Sequence, residues 1–349
     1  MSKLLTVVTA TYNKGDRNRA SIQSILDQTH RDFEYIIIND GSPDNTREIL
    51  SEFDDPRLRI IHQRNKGFVK TMVSTMKLIE TPYVAIQGAG DISLPERLEK
   101  QLQWMGRPDI GVVCGLSQQV NSSSFDPSRG LKTTFKRKQA KTVEYNDVQQ
   151  MIKSNIANHG EVMVRMEAYR KAGGYRSFFR YAQDRDLWLR LLEDYSMVRL
   201  GEPIYIKVTD AKTDVYGNPS KAEEQALYSL FARYLARQRL QTGKDPLEGE
   251  GSKSFDFFVQ KALSDSDKSE VIRRVFRNTL SSEYGIDEAT RIIQKYAPQH
   301  HYIRLLKILK FMSGNVPYGG RACYWYYHTL ELQALRVTAK LSKLTSQLG

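Results

Sequence analysis

Three short stretches carry residue types suited to holding a phosphorylated ligand: Thr9-Ala10-Thr11-Tyr12-Asn13, Asn39-Asp40-Gly41-Ser42 and Gln87-Gly88-Ala89-Gly90-Asp91. A phosphate-bearing ligand needs backbone N–H groups, short side chains that permit close approach, and positive charge. A nucleotide base needs a carboxylate or amide at its edge. Asp40 can accept a hydrogen bond from a pyrimidine N–H, while Thr9, Thr11 and Asn13 can reach ribose or diphosphate. Taken singly, Asp-Gly-Ser and Gly-x-Gly are also ordinary turn chemistry. The familiar phosphate signatures are missing: Gly88-x-Gly90 is followed by Ser93 where a third glycine or alanine belongs, and no P-loop occurs. What remains is a nucleotide site of another kind.

Such stretches act together only if the chain brings them to one edge. Short apolar runs at Leu4–Thr9, Tyr35–Ile38, Leu58–Ile61, Tyr83–Ile86 and Ile110–Cys114 predict strands. Amphipathic segments at Arg17–Gln28, Thr46–Phe53, Phe68–Ile79 and Pro95–Met105 predict the helices between them. Ser93 with Glu96 reads as a capping box for the last helix, with Pro95 in its first turn. Strands alternating with helices predict a doubly wound, mainly parallel α/β sheet. In such sheets ligands bind outside the carboxyl ends of the strands, where the three stretches fall.

Residues 117–142 break the pattern with Ser122-Ser123-Ser124, Pro127 and Gly130, followed by Lys132, Lys136, Arg137, Lys138 and Lys141. This reads as a basic surface loop or, equally, a solvated charge run. Order resumes with a helix at Asp147–Lys153, then Asn158-His159-Gly160, a strand at Val162–Arg165, the turn Gly173-Gly174-Tyr175 and a helix around Asp184–Glu193. Beyond about residue 216 helical periodicity takes over, as in Leu227, Leu230, Phe231, Tyr234 and Leu235, and in Val271, Ile272, Val275 and Phe276. Gly243–Ser254, with Pro246, Gly249 and Gly251, reads as a flexible connector. The expected organisation is an α/β domain over 1–215 and a C-terminal helical region over 216–349.

The 349 residues suffice for a large core, and 40% apolar with 26% charged residues is the composition of a globular protein. Cys114 and Cys323 are too few and too far apart for a disulfide framework or a cysteine-rich zinc site, so a reducing compartment is expected. The run Leu4–Val8 is too short for a signal-peptide core, and no stretch approaches the ~18 apolar residues of a membrane span. A cytoplasmic location follows. The net charge of +12 favours anionic partners without choosing among them. Residues 301–349 hold seven Lys/Arg against Glu331 alone and carry Tyr324-Trp325-Tyr326-Tyr327, a pattern suited to peripheral contact with an anionic inner membrane surface or to a packed terminal helix. A nucleic-acid partner is not expected, because the aromatics cluster outside the α/β domain instead of interleaving with basic residues on a sheet face.

The segments Val7-Val8-Thr9-Ala10-Thr11-Tyr12-Asn13, Ser24-Ile25-Leu26-Asp27-Gln28-Thr29 and Glu34-Tyr35-Ile36-Ile37-Ile38-Asn39-Asp40-Gly41-Ser42-Pro43-Asp44-Asn45-Thr46 together resemble the N-terminal signature of the family 2 glycosyltransferases, which have the GT-A fold. Asn65-Lys66-Gly67 is similar to the family's next motif, and Asp91–Gln101 to the stretch after its metal motif. His159-Gly160-Glu161-Val162-Met163, Gly173-Gly174-Tyr175-Arg176 and Gln183-Asp184-Arg185-Asp186-Leu187-Trp188-Leu189-Arg190 resemble its acceptor-side half. The resemblance covers about residues 4–195.

It implies transfer of a sugar from a nucleotide diphosphate sugar, a UDP-sugar being favoured, to a glycan or lipid-linked acceptor hydroxyl by inverting single displacement, in cell-surface polysaccharide synthesis. By the same resemblance Asp40 reads the base, and Thr9, Ala10, Thr11, Tyr12, Asn13, Gly41, Lys70, Gly88, Ala89, Gly90 and Asp91 complete the donor site. Asp184 becomes the general base, since an alcohol is a poor nucleophile until a carboxylate removes its proton. The same aspartate could instead cap a helix whose Leu187, Trp188 and Leu191 face the core. His159, Gly160, Gly174 and Trp188 fall on the acceptor side.

Relatives usually carry Asp-x-Asp where this chain has Gly88-Ala89-Gly90, which leaves Asp91 as the carboxylate that would hold Mg²⁺ or Mn²⁺. Alternatively lysine or arginine neutralises the leaving diphosphate, with Lys70, Arg64 and the loop at 132–141 as candidates. Thr71-Met72-Val73 stands where relatives often have Ala-Arg-Asn, and Gln183 replaces an acid beside Asp184. No Gln-x-x-Arg-Trp follows, so a processive polymer synthase is not implied. The missing carboxylates also leave room for a catalytically impaired protein that binds nucleotide or glycan.

Overall fold

A strand buried on both faces reads as an unbroken apolar run, and Tyr35–Ile38 is buried throughout. In a computed structural model that describes residues 3–122, 140–209, 218–282 and 285–315, the first four strands are β1 (Leu5–Thr11), β2 (Glu34–Asp40), β3 (Leu58–Gln63) and β4 (Tyr83–Ile86). They lie parallel in the order β3-β2-β1-β4, linked by helices α1 (Arg17–Leu26), α2 (Thr46–Ser51) and α3 (Phe68–Met76). β1, β2 and β3 run past their apolar cores into Thr11, Asp40 and Gln63, so the sheet itself delivers these polar groups to its carboxyl edge.

The second half of the sheet is mixed. β5 (Ile92–Ser93), α4 (Arg97–Met105), β6 (Ile110–Asn121), β7 (Val143–Tyr145), α5 (Val148–Lys153), β8 (Met163–Arg165), α6 (Met166–Lys171), α7 (Gln183–Leu191) and β9 (Ser196–Thr209) follow in the chain. β8 lies antiparallel between β4 and β6, and β9 pairs with β5, β6 and β7. The described residues thus form a nine-stranded sheet. Its core packs Leu5, Val7, Ile22, Phe33, Tyr35, Ile37, Leu98, Val113, Met163, Val198, Ile204 and Tyr205.

Two local expectations are corrected. Ser93 does not cap α4. It is a strand residue paired with Tyr205, and its hydroxyl donates to the Gln87 side chain at 2.7 Å while accepting from Arg97 at 2.8 Å. Gly243–Ser254 is not a loose connector either: it folds into α9 (Pro246–Glu250) and the start of α10 (Ser252–Phe257), after α8 (Pro219–Thr242). Asp245 caps α9 by accepting from Leu247 N at 2.9 Å, and Pro246 fits the first turn because its missing N–H is not needed there.

The chain divides into two units, Met1–Asp210 with Tyr228–Lys261, and Ala211–Leu227 with Ala262–Gly349. In the first, Phe178 and Phe179 meet Tyr228, Phe231 and Phe255 in an aromatic cluster with ring centroids 4.9–6.1 Å apart. In the second, α11 (Asp265–Ser282), α12 (Ile286–Tyr296) and α13 (His301–Asn315) bury Val271, Ile272, Val275, Phe276, Ile292 and Ile293. The expected boundary at 215/216, the basic residues 132–138 and the aromatic run 324–327 lie outside the described residues. Among the described residues no helix is long and apolar enough to cross a membrane.

Candidate active site

The loops at the carboxyl ends of β1, β2 and β4 are joined by hydrogen bonds. Thr9 Oγ1 donates to Gln87 O at 3.1 Å and shares a 2.9 Å bond with the Tyr35 hydroxyl. Asn13, held in the left-handed region at φ 52°, donates its N–H to Ser42 Oγ at 3.0 Å. Thr11 donates to Asn18 at 3.0 Å. Thr9 and Thr11 are buried, and their hydroxyls bond neighbouring residues of these loops. Ala10 is half-buried at the rim, and Tyr12 and Asn13 are exposed.

Asp40 is buried at the end of β2. Its Oδ1 accepts from Gln63 Nε2 at 2.7 Å and Lys66 N at 3.0 Å, and its Oδ2 accepts from Gly67 N at 3.0 Å. Three bonds leave acceptor capacity on a carboxylate, which has about four lone-pair sites. Gly41 sits at φ +71°, where a Cβ would lie 2.6 Å from Asn65 N, so only glycine lets these two loops touch. Lys70 is exposed on α3.

The β4 loop is organised by a residue not singled out from the sequence, Tyr205 of β9. Its hydroxyl accepts from Gly88 N at 3.0 Å and donates to Asp91 Oδ2 at 2.8 Å, while Asp91 Oδ1 accepts from Val208 N at 2.8 Å. Burial pushes the Asp91 carboxyl up to about 6, against the opposing effects of these bonds and of Lys207 and Lys14. Beneath the loop Arg97 is fully buried and spends its guanidinium on Gln87, Ser93 and the carbonyls of Ile86 and Val162. A buried charge is tolerable only when its donors are so satisfied.

Gly160 abuts this loop. A Cβ there would lie 2.5 Å from the Tyr205 hydroxyl oxygen and 3.1 Å from Gly88 N. Its neighbour His159 bonds through Nε2 to the Tyr175 hydroxyl at 2.6 Å and meets the Phe68 ring edge-on at 5.4 Å. Phe68 follows Gly67, the residue that donates to Asp40. Contacts therefore run from Asp40 through Gly67, Phe68, His159 and Gly160 to the β4 loop. Gly174, at φ +66°, lies against the Tyr169 ring, whose hydroxyl accepts from Tyr175 N at 3.1 Å.

Asp184 stands half-buried in the first turn of α7, close enough that its charge opposes the lowering of His159 by burial and adds to the rise of Tyr175. It is not the N-cap; that position belongs to Ala182, in the left-handed region at φ 55°, a strained conformation for a residue with a side chain. Asp184 Oδ1 accepts from Arg185 N at 2.8 Å. The next two side chains point inward. Arg185 donates to Ser229 Oγ at 2.8 Å and Met151 O at 3.0 Å. Asp186 is held by Arg176 and Arg190, and Arg176 continues to buried Asp245, which also accepts from Arg239 at 2.8 Å. This charge network fixes α7 and hence Asp184. Trp188, placed on the acceptor side by resemblance, is instead wholly buried, so it cannot meet an acceptor.

The residues present do not fit a side-chain-held divalent cation. Glycines occupy both positions of the usual Asp-x-Asp, and the one carboxylate beside them, Asp91, is turned to Tyr205 and Val208. Among the described residues no group of three or more His, Cys, Asp or Glu is placed to hold a metal ion.

The model of the family described as Glycosyl transferase family 2 matches residues 6–173. An uncharacterized glycosyltransferase of Methanocaldococcus jannaschii is 30% identical over 235 residues, spanning 65% of this chain and 77% of that protein. The UDP-Glc:alpha-D-GlcNAc-diphosphoundecaprenol beta-1,3-glucosyltransferase of Escherichia coli is 29% identical over 123 residues, 35% of this chain and 49% of that enzyme. Among solved structures, the mannosyltransferase of Pyrobaculum calidifontis in complex with GDP-Man and Mn²⁺ matches with a TM-score of 0.52 at 14% identity, over 97% of this chain and 87% of that one. That likeness shows a shared GT-A fold.

Proposed function

The chain belongs to glycosyl transferase family 2 and is a nucleotide-sugar glycosyltransferase, and we propose that it moves the sugar of a UDP-sugar, with inversion, to a glycan or lipid-linked acceptor hydroxyl in cell-surface polysaccharide synthesis. One observation carries the reading. Asp184 is the acid on α7 left half-exposed while its neighbours Arg185 and Asp186 are locked inward, and it lies within electrostatic reach of His159, next to the Gly160–Gly88 contact.

In the proposed step Asp184 accepts the proton of the acceptor hydroxyl as its oxygen attacks the anomeric carbon. The bond from that carbon to the diphosphate oxygen breaks on the opposite face, which inverts the configuration and releases a nucleoside diphosphate. Asp40, bonded to Gly67 and Lys66, reads the base, and the glycine-lined β4 loop lets the backbone approach the donor. The name of the Escherichia coli relative supports a UDP-sugar donor and a lipid-linked acceptor. Such chemistry belongs on the cytoplasmic side of a membrane, with the protein held peripherally at its inner face.

The test is donor hydrolysis and transfer by the full chain and by Asp184→Asn. The variant is expected to lose at least a hundredfold in kcat with donor affinity retained. Equal transfer by the two proteins would sink the role of Asp184 as base, and no turnover by either would leave a nucleotide- or glycan-binding protein, the alternative raised by the missing carboxylates.

A further inference from the structure

Gly90 sits at φ +83°, and the space its side chain would take is already held. A Cβ there would lie 3.2 Å from Arg17 Nε, 3.3 Å from Arg17 Cβ and 3.5 Å from an Arg17 terminal nitrogen. A guanidinium thus stands where the second carboxylate of an Asp-x-Asp would project. At Gly88 the space is filled too, by the Asp91 carboxylate and the Tyr205 hydroxyl. The loop therefore offers backbone and a cation to a donor, and no free carboxylate.

The charge arithmetic agrees with the geometry. A donor diphosphate carries about two negative charges and gains more as its bond to the sugar breaks. An Asp-x-Asp must cancel its own two charges with a metal ion before it can attract that group. Gly-x-Gly carries none, so nearby cations act on the diphosphate directly. Arg17 supplies a planar, permanently charged group that can bond two phosphate oxygens at once. Lys14, three residues earlier on the same loop, lies close enough for its charge to act on Asp91, and Lys207 approaches from β9.

We propose that this chain holds its donor diphosphate without a divalent cation, the Arg17 guanidinium against Gly90 taking the ion's place and Lys14 of the preceding loop adding charge. The inference rests on the nucleotide-sugar reading above and adds to it the group that bears the charge. It also makes Arg17 a determinant of diphosphate over monophosphate binding.

Isothermal titration of the full chain with UDP and GDP, in EDTA and in Mn²⁺ or Mg²⁺, provides the test. The better nucleotide should bind within about twofold of the same affinity in all three conditions. Arg17→Ala should weaken it roughly tenfold or more, Arg17→Lys less, and Lys14→Ala less than Arg17→Ala, with UMP or GMP affinity nearly unchanged as evidence of an intact base site. Binding that appears only with Mn²⁺ or Mg²⁺, or an Arg17→Ala protein that binds the diphosphate as wild type does, overturns the inference while the donor-site reading stands. Failure of every nucleotide to bind under every condition overturns both.

Discussion

The Tyr205 hydroxyl donates to the Asp91 carboxylate at 2.8 Å while accepting from Gly88 N, which ties a late strand to the loop after β4. Tyr205→Phe keeps the ring and deletes only the link. It leaves Gly88 N–H and one Asp91 oxygen without their partner. The expected loss is about 1–3 kcal/mol in stability, read by denaturant unfolding, together with weaker nucleotide diphosphate binding by titration. Wild-type values on both counts would contradict the role assigned to this hydroxyl.

Asp91 also sets a pH dependence. Its folded-state pKa, pushed by burial from the usual 3.8 up to about 6, means that the folded protein binds this proton more tightly than the unfolded chain. Stability from this group is fully present below the unfolded value and declines as pH rises through about 4 to 6. Asp91→Asn should remove that slope. Urea midpoints for both proteins between pH 4 and 7 measure it, and parallel curves would show that Asp91 is not the titrating group.

The closeness of Asp184 to His159 can be read without any substrate. Burial lowers His159 below its usual 6.5 and Asp184 partly opposes this, so removing the aspartate's charge should lower the imidazole midpoint further. NMR titration of His159 in wild type and Asp184→Asn checks the sign. Because the folded value is depressed, the group's contribution to stability is present above pH 6.5 and is lost as pH falls through the folded value. An unchanged midpoint in the variant would place the two side chains apart.

Asp245 joins Arg176 and Arg239, and although burial alone would raise its pKa, the two guanidiniums hold it below the usual carboxylate range. Asp245→Ala removes the anion shared by Arg176 and Arg239, which keep Asp186 and Glu193, for an expected cost of about 1–3 kcal/mol. Arg176 also holds Asp186 on α7, so kcat should fall with stability. Chemical unfolding and steady-state kinetics report the two effects.

β1, β2 and β4 were legible because burial leaves unbroken apolar runs in them, and Asp147 and the periodicity of Leu230, Phe231 and Leu235 mark helices. The polar ends of the strands were not, since Thr11, Asp40 and Gln63 continue the backbone ladder after the apolar run stops. β9 is not among the expected strands; Gly201-Glu202-Pro203 interrupts its pattern, opposite the point where β6 slips register between Cys114 and Leu116. Tyr205 was missed with it. The polar and glycine residues that end β1, β2 and β4 stand out by type, whereas the inward turn of Asp91, the burial of Trp188 and the approach of Arg17 to Gly90 depend on partners far away in the chain.

The packing at Gly88 also closes a road backwards. An aspartate placed there would drive its first carbon into the Asp91 carboxylate and the Tyr205 hydroxyl, and one at 90 would strain the backbone and displace Arg17. Restoring the acidic pair would therefore require Asp91, Tyr205 and Arg17 to move as well.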